Sequence, residues 1–380
     1  MRGDVPEQRF DPVYRHGVQT SDLPEGAHDI DTRLRHAVSQ LLQTRMDLAQ
    51  GPLFKARLIR VAERDQLLVL LIDHTIADRT SLSILLQDLW CCYSQGGADI
   101  AQLDRRTFMP YAEYSAWQHA ISRDWTFPGG PYWQARLAGT SPAPLPIESV
   151  AAARPQSAGF IPLQMGEALS AGLRNLAKRE RSMLSMVVLA IQVAQLSRWC
   201  RTRDLMVSFV EAGRHTAALA RTVGYFAYPM HLRLQLAADE TCRQLLQRVT
   251  KEYSSAWAHP EFGSIAIAMP EYLNRVWIQW NQSPAVSAAT AASDRKRQGN
   301  APAILKVAPF RFERPRIDAP SNFGIALGFA DQGRQITGTC HYRADYFAPD
   351  TMEKFCSDLL ALAQRFCENP LQRFLALADG

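Results

Sequence analysis

The chain has 380 residues, 47% hydrophobic and 21% charged, with a formal charge of +5. This balance describes a globular protein long enough for two lobes with sizeable cores. No apolar stretch approaches the roughly 18 residues of a membrane helix, and the N-terminal MRGDVPEQRFDP lacks a signal-peptide core, so a cytoplasmic protein with no membrane contact is expected. The basic clusters KRER (178–181) and RKR (295–297) have no interleaved aromatics, which argues against nucleic-acid binding. Seven scattered cysteines with no C-x-x-C spacing read as reduced thiols rather than a disulfide frame or metal site.

Residues 31–44 place Leu34, Val38, Leu41 and Leu42 on one helical face. Two strands follow, 54–61 and 67–72, around the polar turn Ala62-Glu63-Arg64-Asp65. The second strand, LLVLLI, has no polar face and reads as buried on both sides. It ends at Asp73-His74, and a second acid, Asp78, lies four residues past the histidine. Thr80 or Ser81 can then cap a helix carrying Leu82, Leu85, Leu86, Leu89, Trp90 and Tyr93, stopped by Gly96-Gly97. His74 thus sits at a strand-to-helix turn, where two rigid elements hold a side chain toward a cleft, as a general base requires. The plainer alternative is a surface-loop histidine beside an N-terminal helix acid.

Beyond an aromatic region at 111–133, the Pro/Ala-rich stretch 138–156 lacks periodicity and reads as an inter-lobe linker. The order after it is strand 160–165, helices 167–178 and 184–199, strands 204–210 and 230–236, and helix 242–257. A strand at 276–280 precedes a low-complexity stretch, 283–303. A hairpin, 323–329 with 335–342, and a helix at 350–367 complete the chain. Irregular alternation of strands and helices indicates an α/β class with mixed sheets. The expected division is an N-terminal lobe over 1–140, a linker over 141–156 and a C-terminal lobe over 157–380.

The segment DHTIAD (73–78) resembles the His-His-x-x-x-Asp-Gly motif of nonribosomal peptide synthetase condensation domains, which belong to the chloramphenicol-acetyltransferase-like acyltransferases. Flanking stretches agree in order and spacing. MDLAQGP with FKARL (46–52 and 54–58) looks like the approach to the motif strand, YAEYSAW (111–117) is similar to Y-x-D-Y-A-x-W, and Tyr132-Trp133 through Leu137-Ala138-Gly139 to Y-W-x-x-x-L-x-G. Val223-Gly224-Tyr225-Phe226 stands where the family has I-G-x-F-V-N-T. The match runs from about Asp31 to the C-terminus. Family members carry a further strand, helix and strand before that point, so a shortened N-terminal lobe with an exposed sheet edge is expected.

The resemblance implies two lobes of similar topology meeting around a central tunnel, with His74 as the histidine that deprotonates or orients the nucleophile. Asp78 matches the motif's architectural aspartate, whose usual arginine partner lies in a motif not found upstream; Arg79 or Arg214 could substitute. Asp73 replaces the first motif histidine and Arg79 the terminal glycine. Asp73 reads as a structural cap, since adjacent side chains at a strand end point oppositely. Tyr228-Pro229 replaces Asn-Thr, which makes Tyr228 a candidate substrate contact. Ser321-Asn322-Phe323-Gly324 loosely resembles the Asp-Phe-Gly strand of plant acyltransferases, making Ser321 and Asn322 further candidates, although a strand-start turn explains them as well. His215, in Gly213-Arg214-His215, has no partner at recognisable spacing and reads as a loop histidine.

The expected activity is condensation, joining an acyl thioester to an amine or hydroxyl in nonribosomal peptide or hybrid polyketide assembly. No bound cofactor or metal is expected, because substrates arrive on the phosphopantetheine arms of acyl or peptidyl carrier proteins, with a small-molecule or carrier-bound acceptor. The alternative is a catalytically weakened condensation-like platform that binds carrier proteins or tailoring enzymes.

Overall fold

The computed structural model describes residues 7–9, 17–26, 29–42, 46–63, 65–94, 108–121, 129–148, 157–259, 275–281 and 323–374. Its described residues fall into two compact units. The first holds the chain through Leu82 together with Val223–Tyr225, and the second holds the remainder. No helix among the described residues is long and apolar enough to cross a membrane.

The first unit is built on a three-stranded sheet ordered β1 (Gln19–Asp22), β2 (Phe54–Arg60) and β3 (Gln66–Ile72). β1 runs parallel to β2, and β2 pairs antiparallel with β3 from Phe54 opposite Ile72 to Arg60 opposite Gln66. β1 has no alternating apolar pattern and is not expected from the sequence. Helix α1 (Ile30–Leu42) starts at Asp29, whose carboxylate accepts from the Thr32 N–H and hydroxyl. The all-apolar β3 is not buried on both sides as expected: residues 67–72 are each half-buried. Among the described strands β3 has a hydrogen-bonded neighbour on one side only, which places it at the edge of the described sheet. Helix α2 (Arg79–Ser94) follows the turn at 73–78.

In the second unit, helices α3 (Tyr111–Ile121) and α4 (Gly130–Leu137) precede a six-stranded mixed sheet. Its order is β4 (Ala158–Met165), β9 (Ile336–Arg343), β8 (Ile325–Asp331), β7 (Val276–Asn281), β5 (Asp204–Glu211) and β6 (Tyr228–Gln235). The β5–β7 and β7–β8 pairs are parallel and the other three antiparallel. Helices α5 (Glu167–Arg179), α6 (Leu184–Trp199), α7 (Cys242–Trp257) and α8 (Pro349–Glu368) complete it. α6 is buried from Met186 to Ser197, which accounts for a sequence apolar on all sides. Each of its large aliphatic side chains contributes about 1.5–3 kcal/mol on burial. α7 opens with a reciprocal capping box between Thr241 and Gln244, worth about 1 kcal/mol.

Residues 129–148 pack into this same core. Trp133, Leu137, Ala143 and Leu145 are buried there, although the stretch from 141 has no periodicity that would announce it. Arg233 on β6 holds the carbonyls of Arg136 and Ala138 and pairs in bidentate fashion with Asp204. Glu148 accepts from the Ala348 N–H and the Thr351 hydroxyl, satisfying the start of α8 from 200 residues away.

Candidate functional site

The turn between β3 and α2 is organised by two carboxylates with separate tasks. Asp73 Oδ1 accepts from the N–H and hydroxyl of Thr75, at 2.9 and 2.6 Å. Its Oδ1 is therefore engaged within the turn itself. Asp78 is 2% exposed and its Oδ1 accepts from the Ser81 N–H at 2.8 Å. It is Asp78, not Thr80 or Ser81, that caps α2, because only a side chain ahead of the first turn can reach the orphan N–H three residues on.

His74 projects from this frame with Nδ1 2.9 Å from the Ala77 carbonyl oxygen. A carbonyl can only accept, so Nδ1 carries the proton and the neutral ring keeps its lone pair on Nε2. The backbone thus sets the tautomer a general base needs. The ring of Tyr225 meets His74 edge-on, centroids 4.9 Å apart and planes at 75°. Burial and the negative charge of Asp78 raise the Tyr225 pKa, so its hydroxyl stays protonated at neutral pH.

Ser81 carries Tyr225 to that position. Its hydroxyl accepts from the Gly224 N–H at 3.0 Å and lies 2.7 Å from the Gly224 carbonyl oxygen and 2.8 Å from Asp78 Oδ1. One hydroxyl proton serves these two acceptors alternately, while the Asp78 N–H supports the same carbonyl at 3.2 Å. Sequence reasoning missed Ser81, Gly224 and Tyr225 as site residues. Val223-Gly224-Tyr225-Phe226 is visible as a motif, but nothing local joins it to a turn more than 140 residues earlier.

The other expected residues lie as follows. Arg79 is the first residue of α2; its surface is exposed, yet partial desolvation of the guanidinium lowers its pKa without removing its charge. Arg214, in the second unit, lies 4.4 Å over the Phe226 ring and donates to the carbonyls of Ala212 and Thr222. Tyr228 is buried at the start of β6, its hydroxyl 3.2 Å from His215 Nε2, so His215 has a partner that spacing does not reveal. Ser321 and Asn322 lie outside the described residues.

The mixed α/β fold is shared with solved structures. The SgcC5 protein from Streptomyces globisporus superposes with a TM-score of 0.72 at 20% identity, over 94% of this chain and 82% of that one. The X-domain in its complex with OxyB from teicoplanin biosynthesis gives 0.69 at 19% identity, over 96% and 79%. The family model for the condensation domain matches residues 4–377, and the chain belongs to that family. This match begins well before Asp31, where the motifs first become legible. A linear gramicidin synthase polypeptide of Brevibacillus parabrevis is 28% identical over 87% of the chain, and the match covers 6% of that much longer protein.

Proposed function

We propose that the protein catalyses condensation, transferring an acyl group from a carrier-bound thioester to an amine or hydroxyl acceptor. The observation that carries this reading is the Nδ1 contact of His74 with the Ala77 carbonyl, which leaves Nε2 as the basic nitrogen. In the amide case the acceptor nitrogen attacks the thioester carbonyl, the C–N bond forms and the C–S bond breaks. His74 Nε2 receives the proton lost by the nitrogen and returns it to the departing thiolate. Asp78, Ser81 and Asp73 hold the geometry without touching substrate. Arg214 holds the Ala212 and Thr222 carbonyls and lies over Phe226, Arg79 is a structural residue of the turn, and Tyr228 is a substrate contact. Ser321 and Asn322 are proposed with Tyr228 on the family resemblance alone.

Carrier proteins are the partners in this reading, delivering substrates on phosphopantetheine arms. A second reading is favoured by Asp73 and Arg79, which stand where the motif has histidine and glycine: a domain that binds carriers or tailoring enzymes and does not turn over. Incubation with an acyl-loaded carrier protein and an amine acceptor, followed by mass spectrometry of the carrier, separates the two. Acceptor-dependent loss of the acyl group with formation of an amide supports condensation. Carrier binding with the acyl group retained supports the platform.

A further inference from the structure

Five side chains of the second unit close a ring at one end of β5, β6 and α7. Glu211 and Tyr228 are opposite residues of the β5–β6 pair, and opposite residues of an antiparallel pair project to the same face. The Tyr253 hydroxyl donates to Glu211 Oε1 at 2.8 Å. One helical turn further along α7, the Trp257 ring lies 5.8 Å from that of His215. His215 Nε2, 3.2 Å from the Tyr228 hydroxyl, completes the circuit.

Among the described residues, the ring holds a carboxylate with no countercharge. Glu211 is half-buried, and its polar partners there are the Tyr253 hydroxyl and the Ala212 N–H, neither of which carries charge. Burial raises its pKa, the signature of an anion poorly compensated by its surroundings. His215 does not compensate, because burial lowers its pKa and keeps the ring neutral near pH 7. Arg214, the cation next in sequence, lies over Phe226 and holds the Ala212 and Thr222 carbonyls. Trp257, meanwhile, is 49% exposed, presenting an aromatic surface one turn from the residue that holds Glu211. A partly desolvated carboxylate, held one helical turn from an exposed indole, supplies the two elements that recognise an ammonium group: a charge-assisted hydrogen bond and a cation–π contact.

We propose that Glu211 and Trp257, framed by Tyr253, His215 and Tyr228, form a binding site for the primary ammonium group of a small molecule. Tyr228 is shared with the substrate contacts proposed for acyl transfer, but the binding test uses no acyl donor, so it can fail while acyl transfer stands, and the reverse.

The probes are 2-phenylethylamine and 2-phenylethanol, which share ring and arm and differ in bearing an ammonium or a hydroxyl group. Isothermal titration of the full chain at neutral pH is expected to show saturable amine binding at least about tenfold tighter than alcohol binding. Glu211→Gln is expected to abolish that preference, and Trp257→Ala, at an exposed position, to weaken amine binding severalfold, with circular dichroism verifying the fold of each. Equal affinity of the wild type for the two probes, absence of saturable amine binding, or a preference that survives in Glu211→Gln overturns the assignment. Should Glu211→Gln fail to fold, the wild-type comparison decides alone.

Discussion

The hydroxyl of Ser81 accepts the Gly224 N–H at 3.0 Å and lies 2.7 Å from the same residue's carbonyl oxygen. Ser81 is fully buried, so each of these groups lacks a water to replace it. Ser81→Ala strands the Gly224 N–H at a cost of about 1–3 kcal/mol. The expected result is a lower denaturation midpoint together with faster hydrogen exchange at the Gly224 amide. An unchanged Gly224 exchange rate would show that the clamp does not hold the segment.

Tyr225 is expected to position His74 through its ring rather than its hydroxyl, since the contact is edge-on at 4.9 Å. Such a ring pair is worth about 0.5–1.5 kcal/mol. In a condensation assay, Tyr225→Ala should lower kcat up to about tenfold, and Tyr225→Phe should restore it with KM unchanged. Loss of activity in both variants would point to the hydroxyl instead.

Gly213 and Gly333 both have positive φ, 70° and 85°, but differ in space. A Cβ at Gly213 would lie 2.0 Å from the Phe226 carbonyl oxygen, whereas one at Gly333 meets nothing within 4 Å. Gly333→Ala should therefore cost about 1–2 kcal/mol for conformation alone, and Gly213→Ala clearly more. Paired urea denaturation of the two variants checks the order.

Asp331 forms a bidentate pair with Arg174, at 3.1 and 2.6 Å, and the guanidinium holds its carboxyl below the usual range. A carboxylate with a depressed folded-state pKa stabilises the fold above its unfolded pKa, and this contribution is lost as the pH falls through the folded value. With both side chains partly exposed, the pair is worth about 0.5–1 kcal/mol. Asp331→Asn should lower the melting temperature at pH 7 by about 1–4 °C, and the gap should close in acid below about pH 4.

Elements with strong periodicity or continuous apolarity are legible from the chain alone. α6 and α7 begin and end where the apolar pattern and turn residues place them. β1 is not legible, because QTSD becomes a strand only through pairing with β2. The burial of β3 is misjudged for a related reason: an all-apolar run reports what a strand could bury, while what packs on its two faces is set by tertiary structure. Within the site, His74, Asp73 and Asp78 can be named because they are close in sequence. Ser81 can be seen only as a possible cap, since its bond to Gly224 depends on folding across 143 residues. The Glu211–Tyr253 and His215–Tyr228 pairs likewise arise from register and helix placement.

In the proposed mechanism His74 Nε2 handles the acceptor's proton during condensation. This is tested by a single-turnover measurement with acyl-loaded carrier protein and saturating amine, comparing wild type with His74→Ala. Loss of the base is expected to slow amide formation about 10²–10⁴-fold while carrier binding is unchanged. Amide formation at the wild-type rate in the folded His74→Ala protein would remove the histidine from the chemistry.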